Sequence, residues 1–132
     1  MKQAGMARAR WLAAVELRTY LNELDPADVP TWRTFFVELL SATEDTDVLD
    51  QAVRAVVKLK APTAAENADA LDGLDVLLHS RWTRIVHQRA VCAAFTLTAG
   101  DDAAWKAFAE GVKDAPLSAK AAARLEDPSL CP

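Results

Sequence analysis

The stretch TWRTFFVELLSA, residues 31–42, has the densest apolar face in the chain. Its large apolar residues recur at steps of three and four, the spacing of one face of an α-helix. These residues are Trp32, Phe35, Phe36, Leu39 and Leu40. A lone helix cannot bury such a face, so the stretch predicts a helix packed on other helices.

Helical periodicity continues on both sides of this stretch, and no segment has the pattern of a strand. The preceding DPADVP, residues 25–30, breaks the chain because proline interrupts a helix and disfavours one just before it. The predicted helices cover about residues 7–24, 31–42, 48–60, 63–79 and 81–98, followed by a sixth between Asp101 and Pro116 and a short seventh after Ser118. The fourth and fifth are alternatively one long bent helix, since His79 and Ser80 form a weak break.

Residues at the helix ends and one interior glycine refine this pattern. Thr63 and Glu66 have capping-box spacing, and Thr46 or Asp47 suits an N-cap. Gly100 is expected to end one helix, while Gly73 is expected to mark a close packing contact. The predicted fold is all-α: a compact single-domain bundle of six or seven short helices, with a helical domain at residues 1–126 and a C-terminal tail at 127–132.

Composition favours an ordered globular domain. The chain has 132 residues, of which 52% are hydrophobic, and this length supports a core without metal or disulfide staples. Cys92 is predicted to be a buried small hydrophobe and Cys131 to lie in a fraying tail, with no pairing between them. A reducing, cytoplasmic setting is therefore expected, with no membrane association. A bacterial source is also expected.

Positive charge is concentrated in two parts of an acidic chain. The net charge is −4 overall, but it is +3 in residues 1–22, −8 in 23–75, +3 in 76–98 and −2 in 99–132. The stretch LLHSRWTRIVHQRAV, residues 77–91, holds three arginines, two histidines and no acid. Cationic surface is therefore expected on the predicted first and fifth helices.

An α-helix over residues 81–98 assigns these side chains to faces. Arg81, Arg84 and Gln88 share the predicted outer face, with His87 closer to Arg84 than to the core. The opposite, buried side comprises Trp82, Ile85, Val86 and Ala93.

Three interpretations of the arginines stay open. The first is internal pairing with the acids of the predicted fourth helix, which are Glu66, Asp69, Asp72 and Asp75. The second is an interface for an acidic protein or for a second copy of this chain, since the arginine fork binds carboxylates in pairs. The third is nucleic acid, although the acidic remainder of the chain would repel a duplex.

Catalytic and metal-binding patterns are weak. Asp72, Asp75 and His79 fall along one helical face and form a candidate metal site, although helix-dipole preference explains the same placement. No nucleophile, base and acid combine in a recognisable pattern, so no enzyme activity and no cofactor are predicted.

The sequence thus predicts a small cytoplasmic protein-binding module, such as an adaptor, an inhibitor or immunity-type protein, or an accessory subunit. The partner is another protein with an acidic surface, or a second copy. The alternatives are a nucleic-acid-associated regulator and a helical metal-binding protein or metalloenzyme. The predicted contact residues are Arg8, Arg10, Arg18, Arg81, Arg84, His87 and Arg89.

Overall fold

The computed structural model describes Val15, Glu16, Thr19 and residues 24–132. In this part of the chain it has six α-helices and no strand: α1 Val29–Ala42, α2 Thr46–Lys58, α3 Ala68–Leu78, α4 His87–Leu97, α5 Asp102–Val112 and α6 Ala119–Glu126. Short 3₁₀ segments lie at Pro26–Asp28, Ala65–Asn67, Arg81–Val86 and Pro128–Leu130. The predicted helix 7–24 falls outside the described residues, except for Val15, Glu16 and Thr19, which are helical.

Side-chain caps and one glycine set the helix ends. The carboxylate of Asp45 accepts hydrogen bonds from the backbone at the start of α2, so the predicted caps Thr46 and Asp47 are one to two residues late. Asp101 caps α5 and Ser118 caps α6, at the starts predicted for the sixth and seventh helices. Gly100 lies between α4 and α5 with φ of 81°, a conformation that favours glycine.

The helices form a single all-α domain around one core. Helix α1 packs on α2 and α3, while α4 lies centrally and contacts α2, α3, α5 and α6. Phe36 and Leu40 carry the buried side of α1. A Cβ at Gly73 would lie 2.9 Å from Leu40 Cδ1, so the predicted close contact at this glycine is confirmed.

A buried amide joins the α2–α3 connection to the end of α4. The side chain of Asn67 accepts a hydrogen bond from Ala61 N at 2.8 Å and donates to Ala61 O at 3.1 Å. It also lies within donating distance of Thr63 O and Leu97 O. Because Asn67 is almost fully buried, these bonds satisfy backbone groups that water cannot reach.

The predicted fifth helix is divided in two. Residues Arg81–Val86 form a 3₁₀ helix, and α4 begins only at His87. Ser80 has an extended backbone between α3 and this segment, so the alternative of one bent helix over the predicted fourth and fifth is wrong.

The cysteine predictions are wrong. Cys92 in α4 and Cys131 form a disulfide, whereas spacing alone gave no sign that the two residues meet in the fold. The segment after α6 is also ordered by a 3₁₀ turn at Pro128–Leu130, which begins at the Asp127 cap. The expected fraying tail is therefore held at both its start and its end.

Candidate functional site

The predicted contact arginines fall into three groups. Arg8, Arg10 and Arg18 lie outside the described residues. Arg89 is paired within the molecule, and Arg81 and Arg84 are exposed on the 3₁₀ segment.

Internal pairing holds for Arg89, although its partner is not on the predicted fourth helix. Arg89 Nε lies 2.5 Å from Asp50 Oδ1, and Arg54 Nε lies 3.1 Å from Asp50 Oδ2. One carboxylate of α2 thus serves two guanidinium groups, which leaves one net positive charge in this cluster.

Arg81 and Arg84 have no carboxylate partner among the described residues. Arg84 Nη2 donates to the backbone oxygen of Leu117 at 3.2 Å, which holds the side chain without neutralising it. The acids that were candidate partners lie elsewhere: Glu66 contacts Thr63, and Asp75 contacts His79. The segment therefore presents two cations to solvent.

Trp82 and Ile85 are exposed, so the prediction that they are buried is wrong. Their exposed fractions are 51% and 81%. A 3₁₀ helix has three residues per turn, so residues three apart eclipse each other. Thr83 and Val86 then form the buried row, and Trp82 with Ile85 forms an exposed one.

His87 is fully buried, so its predicted role as a contact residue is wrong. Its Nε2 lies 3.0 Å from Ser80 O and 3.1 Å from Thr83 Oγ1. A carbonyl can only accept, so Nε2 carries the proton and Nδ1 has a free lone pair; Nδ1 is buried and has no partner within the described residues. Burial lowers the pKa of His87 from its ordinary value of 6.5, and the charge of Arg84 lowers it further.

The hydroxyl of Thr83 connects this network to the end of α3. Thr83 Oγ1 lies 2.8 Å from both Leu77 O and Ser80 O and donates its one proton to this pair of carbonyls. Thr83 and His87 together satisfy the carbonyls at the turn after α3, which fixes the 3₁₀ segment on the body of the protein.

A surface cavity of about 300 Å³ adjoins this segment. It lies between the end of α1 and residues 76–83, and its lining consists of Leu40, Ser41, Ala42, Thr43, Glu44, Leu49, Val76, Leu77, Ser80, Trp82 and Thr83. Val76 is 62% exposed, so its side chain and that of Trp82 give the cavity an apolar edge. We define the arginine–tryptophan face as Val76, Arg81, Trp82, Arg84 and Ile85.

The candidate metal residues do not form a cluster. His79 Nδ1 lies 2.9 Å from Asp75 Oδ1, so these two side chains pair with each other across one helical turn. Among the described residues, no group of three or more His, Cys, Asp or Glu side chains is arranged to hold a metal ion. Asp72 adds no contact to the pair.

No helix in the described part of the chain is long and apolar enough to cross a membrane. Comparisons with protein-family models, with curated proteins and with solved structures found no match.

Proposed function

We propose that the chain is a protein-binding module whose contact surface is the arginine–tryptophan face. The observation that supports this most directly is the exposure of Trp82 and Ile85 beside two arginines that no described carboxylate neutralises. Tryptophan and arginine are enriched where protein interfaces bind most tightly. An adaptor, an inhibitor or immunity-type protein, or an accessory subunit would use such a surface.

The partner proposed for this face combines apolar and acidic groups. Exposed apolar side chains gain by leaving water, and a partner carboxylate would form paired hydrogen bonds with either guanidinium group. The partner could instead be a second copy of the chain, in which case the acidic residues 23–75 of one molecule would contact the arginines of the other. Sedimentation separates these cases, because self-association depends on protein concentration alone.

Nucleic acid gains no further support from the described residues. Phosphate binding needs a contiguous basic surface, and Arg89 and Arg54 are already engaged by Asp50. Any binding to a DNA duplex or to RNA at low salt that Arg81→Glu abolishes would favour this alternative instead.

The cytoplasmic location stays a prediction, and one observation that supported it no longer does. It depended on unpaired cysteines, whereas Cys92 and Cys131 are bonded. Disulfides persist in oxidising compartments, and in the cytosol of mesophiles they are mostly transient and redox active. We therefore propose a cytoplasmic setting only together with a disulfide that responds to thiols.

Reversal of charge on the face tests the proposed function. In the double variant Arg81→Glu/Arg84→Glu, we expect the affinity for a purified partner to fall at least about tenfold, while the helical CD spectrum is unchanged. The matched control is Lys106→Glu/Lys120→Glu, which makes the same charge change at exposed positions on α5 and α6. Equal affinity of the face variant and the control would refute the proposal.

The apolar half of the face needs a separate variant. Trp82→Ala removes a half-exposed side chain without changing charge. We therefore expect a loss of affinity that is the same at low and at high salt. If charge reversal weakens binding and Trp82→Ala does not, the contact is electrostatic alone and the apolar part of the proposal is wrong.

A further inference from the structure

We propose that the Cys92–Cys131 disulfide is a thiol-exchange site, at which a small thiol or a dithiol protein releases the C-terminal segment 127–132 from the folded body. The bond joins the middle of α4 to the residue after the last 3₁₀ turn, across 39 residues of sequence. Reduction would leave two thiols and convert the reductant to its own disulfide. The proposal depends on three features of the described residues.

The first feature is the weak non-covalent attachment of the segment. Its hydrogen bonds are local: Leu130 N donates to Asp127 O, Cys131 N donates to Pro128 O, and Ser129 bonds to the Asp127 side chain. No residue of the 3₁₀ turn is buried, and Leu130 is half exposed. Among the described residues, the hydrogen bonds of residues 128–132 reach no further back along the chain than Asp127, so the disulfide holds the end of the segment in place.

The second feature is the partial exposure of the two cysteines and the space beside Cys92. Cys92 and Cys131 are both partly exposed. Cys92 lines two surface cavities of about 210 Å³ each. One cavity also contains Pro132 and Ile85, and the other contains Thr96. A thiolate therefore has space to approach the Cys92 side of the bond, and we expect this approach to need no unfolding of the core.

The third feature is the charge beside the bond. Arg89 lines both cavities and Arg54 lines one of them. The two guanidinium groups share the single carboxylate of Asp50, so these three side chains together carry one positive charge. Positive charge attracts an anionic thiolate and stabilises the cysteine thiolate that departs, so it favours exchange.

The exchange step conserves atoms and electrons. A thiolate attacks one sulfur, the Cys92–Cys131 bond breaks, and a mixed disulfide forms with release of the other cysteine as a thiolate. A second thiol resolves the mixed disulfide. The protein disulfide accepts two electrons and two protons, and the two reductant thiols lose them as they join.

Release would change the surface next to the arginine–tryptophan face. Pro132 and Ile85 line the same cavity, so departure of the segment would open that cavity beside Ile85. This last consequence is a means of regulating binding, and it rests on the proposed function. The exchange and the release do not.

Reduction kinetics of the native oxidised protein test the exchange site. The probe is reduced glutathione, with free thiols counted by alkylation and mass spectrometry. Direct attack predicts a rate that is proportional to glutathione concentration and unchanged by urea below the unfolding transition. A rate that rises steeply with such urea would mean that the bond is reduced only after global unfolding, and it would overturn the proposal.

Hydrogen exchange tests the release. In the reduced protein and in Cys92→Ser/Cys131→Ser, we expect faster exchange at the amides of Ser129 to Cys131, while α1 to α4 keep their protection. Unchanged protection of these amides after reduction would refute the release. Loss of protection throughout the core would show that the bond holds the whole fold, and this would refute it as well.

Charge variants test the third feature. With Arg89→Gln, reduction by glutathione should slow about threefold as the local positive charge is lost, whereas the exposed control Lys106→Gln should leave the rate unchanged. Equal rates for the two variants would remove the charge argument. These measurements need no binding partner. If Arg81→Glu/Arg84→Glu failed to weaken binding, the proposed function would be refuted, whereas the thiol-exchange proposal would be unaffected.

Discussion

The orientation of the 3₁₀ segment can be tested by truncating two neighbouring side chains. Ile85 is 81% exposed and Val86 is 5% exposed. Truncation of a fully buried isoleucine costs about 2–5 kcal/mol, and only a fifth of this side chain is removed from water. We therefore expect Ile85→Ala to lower the free energy of unfolding by about 0.4–1 kcal/mol.

Val86→Ala is the matched comparison. It removes two buried carbons at about 0.8 kcal/mol each and leaves a small cavity, so we expect a loss of about 2 kcal/mol. An α-helical pattern that buries both residues predicts instead that the larger Ile85 costs more than Val86.

Urea unfolding followed by far-UV CD measures both losses. All variants are kept oxidised at Cys92–Cys131 so that the unfolded states are comparable, and stabilities are compared at equal m-values. A loss for Ile85→Ala as large as that for Val86→Ala would place Ile85 in the core. The arrangement of the arginine–tryptophan face would then be wrong, and with it the proposed contact surface.

Three further changes test the interior. Because the pKa of buried His87 lies below its ordinary 6.5, the unfolded chain binds this proton more readily than the folded chain does. The free energy of unfolding should therefore keep the contribution of neutral His87 above pH 6.5 and decrease as the pH falls below 6.5. Urea midpoints measured across this range should depend less on pH in His87→Gln. Asn67→Ala should cost about 3 kcal/mol by urea unfolding, because it leaves the buried Ala61 backbone groups unpaired; a loss below about 1 kcal/mol would contradict this. Gly73→Ala should lower the free energy of unfolding, measured by thermal denaturation, by about 1 kcal/mol, because crowding against Leu40 exceeds the gain in helix propensity. An increase in the melting temperature would show instead that Leu40 moves aside.

The fold was largely predictable because its signals are local. Apolar residues at helical spacing place most of the described helices, although α1 begins at Val29, inside the predicted break at residues 25–30, and α4 begins only at His87. Asp101 and Ser118 cap the helices whose starts they were expected to mark. Each of these signals acts within about one helical turn, so no knowledge of the tertiary arrangement is needed to interpret it.

The long-range contacts could not be predicted in the same way. Arg89 pairs with Asp50 from α2 rather than with an acid of the neighbouring α3, and Cys92 meets a residue 39 positions away. Neither contact has a periodic signature, because both depend on where α4 lies among the other helices. Of the predicted contact residues, Arg81 and Arg84 are exposed, Arg89 is paired with Asp50, and His87 is buried, while Arg8, Arg10 and Arg18 lie outside the described residues. Partner binding by Arg81 and Arg84 stays a prediction.

The decisive error concerned helical pitch, and its origin is physical. At 3.6 residues per turn, the segment RWTRIV places Trp82, Ile85 and Val86 on one face, and burial of that face is the natural expectation. At three residues per turn, residues three apart in this segment lie above one another in rows. The row of Trp82 and Ile85 is then exposed to solvent. Thr83 and His87 favour the tighter pitch, since their side chains bond the carbonyls after α3. The bonds of these two polar side chains thus favour the pitch that leaves Trp82 and Ile85 exposed.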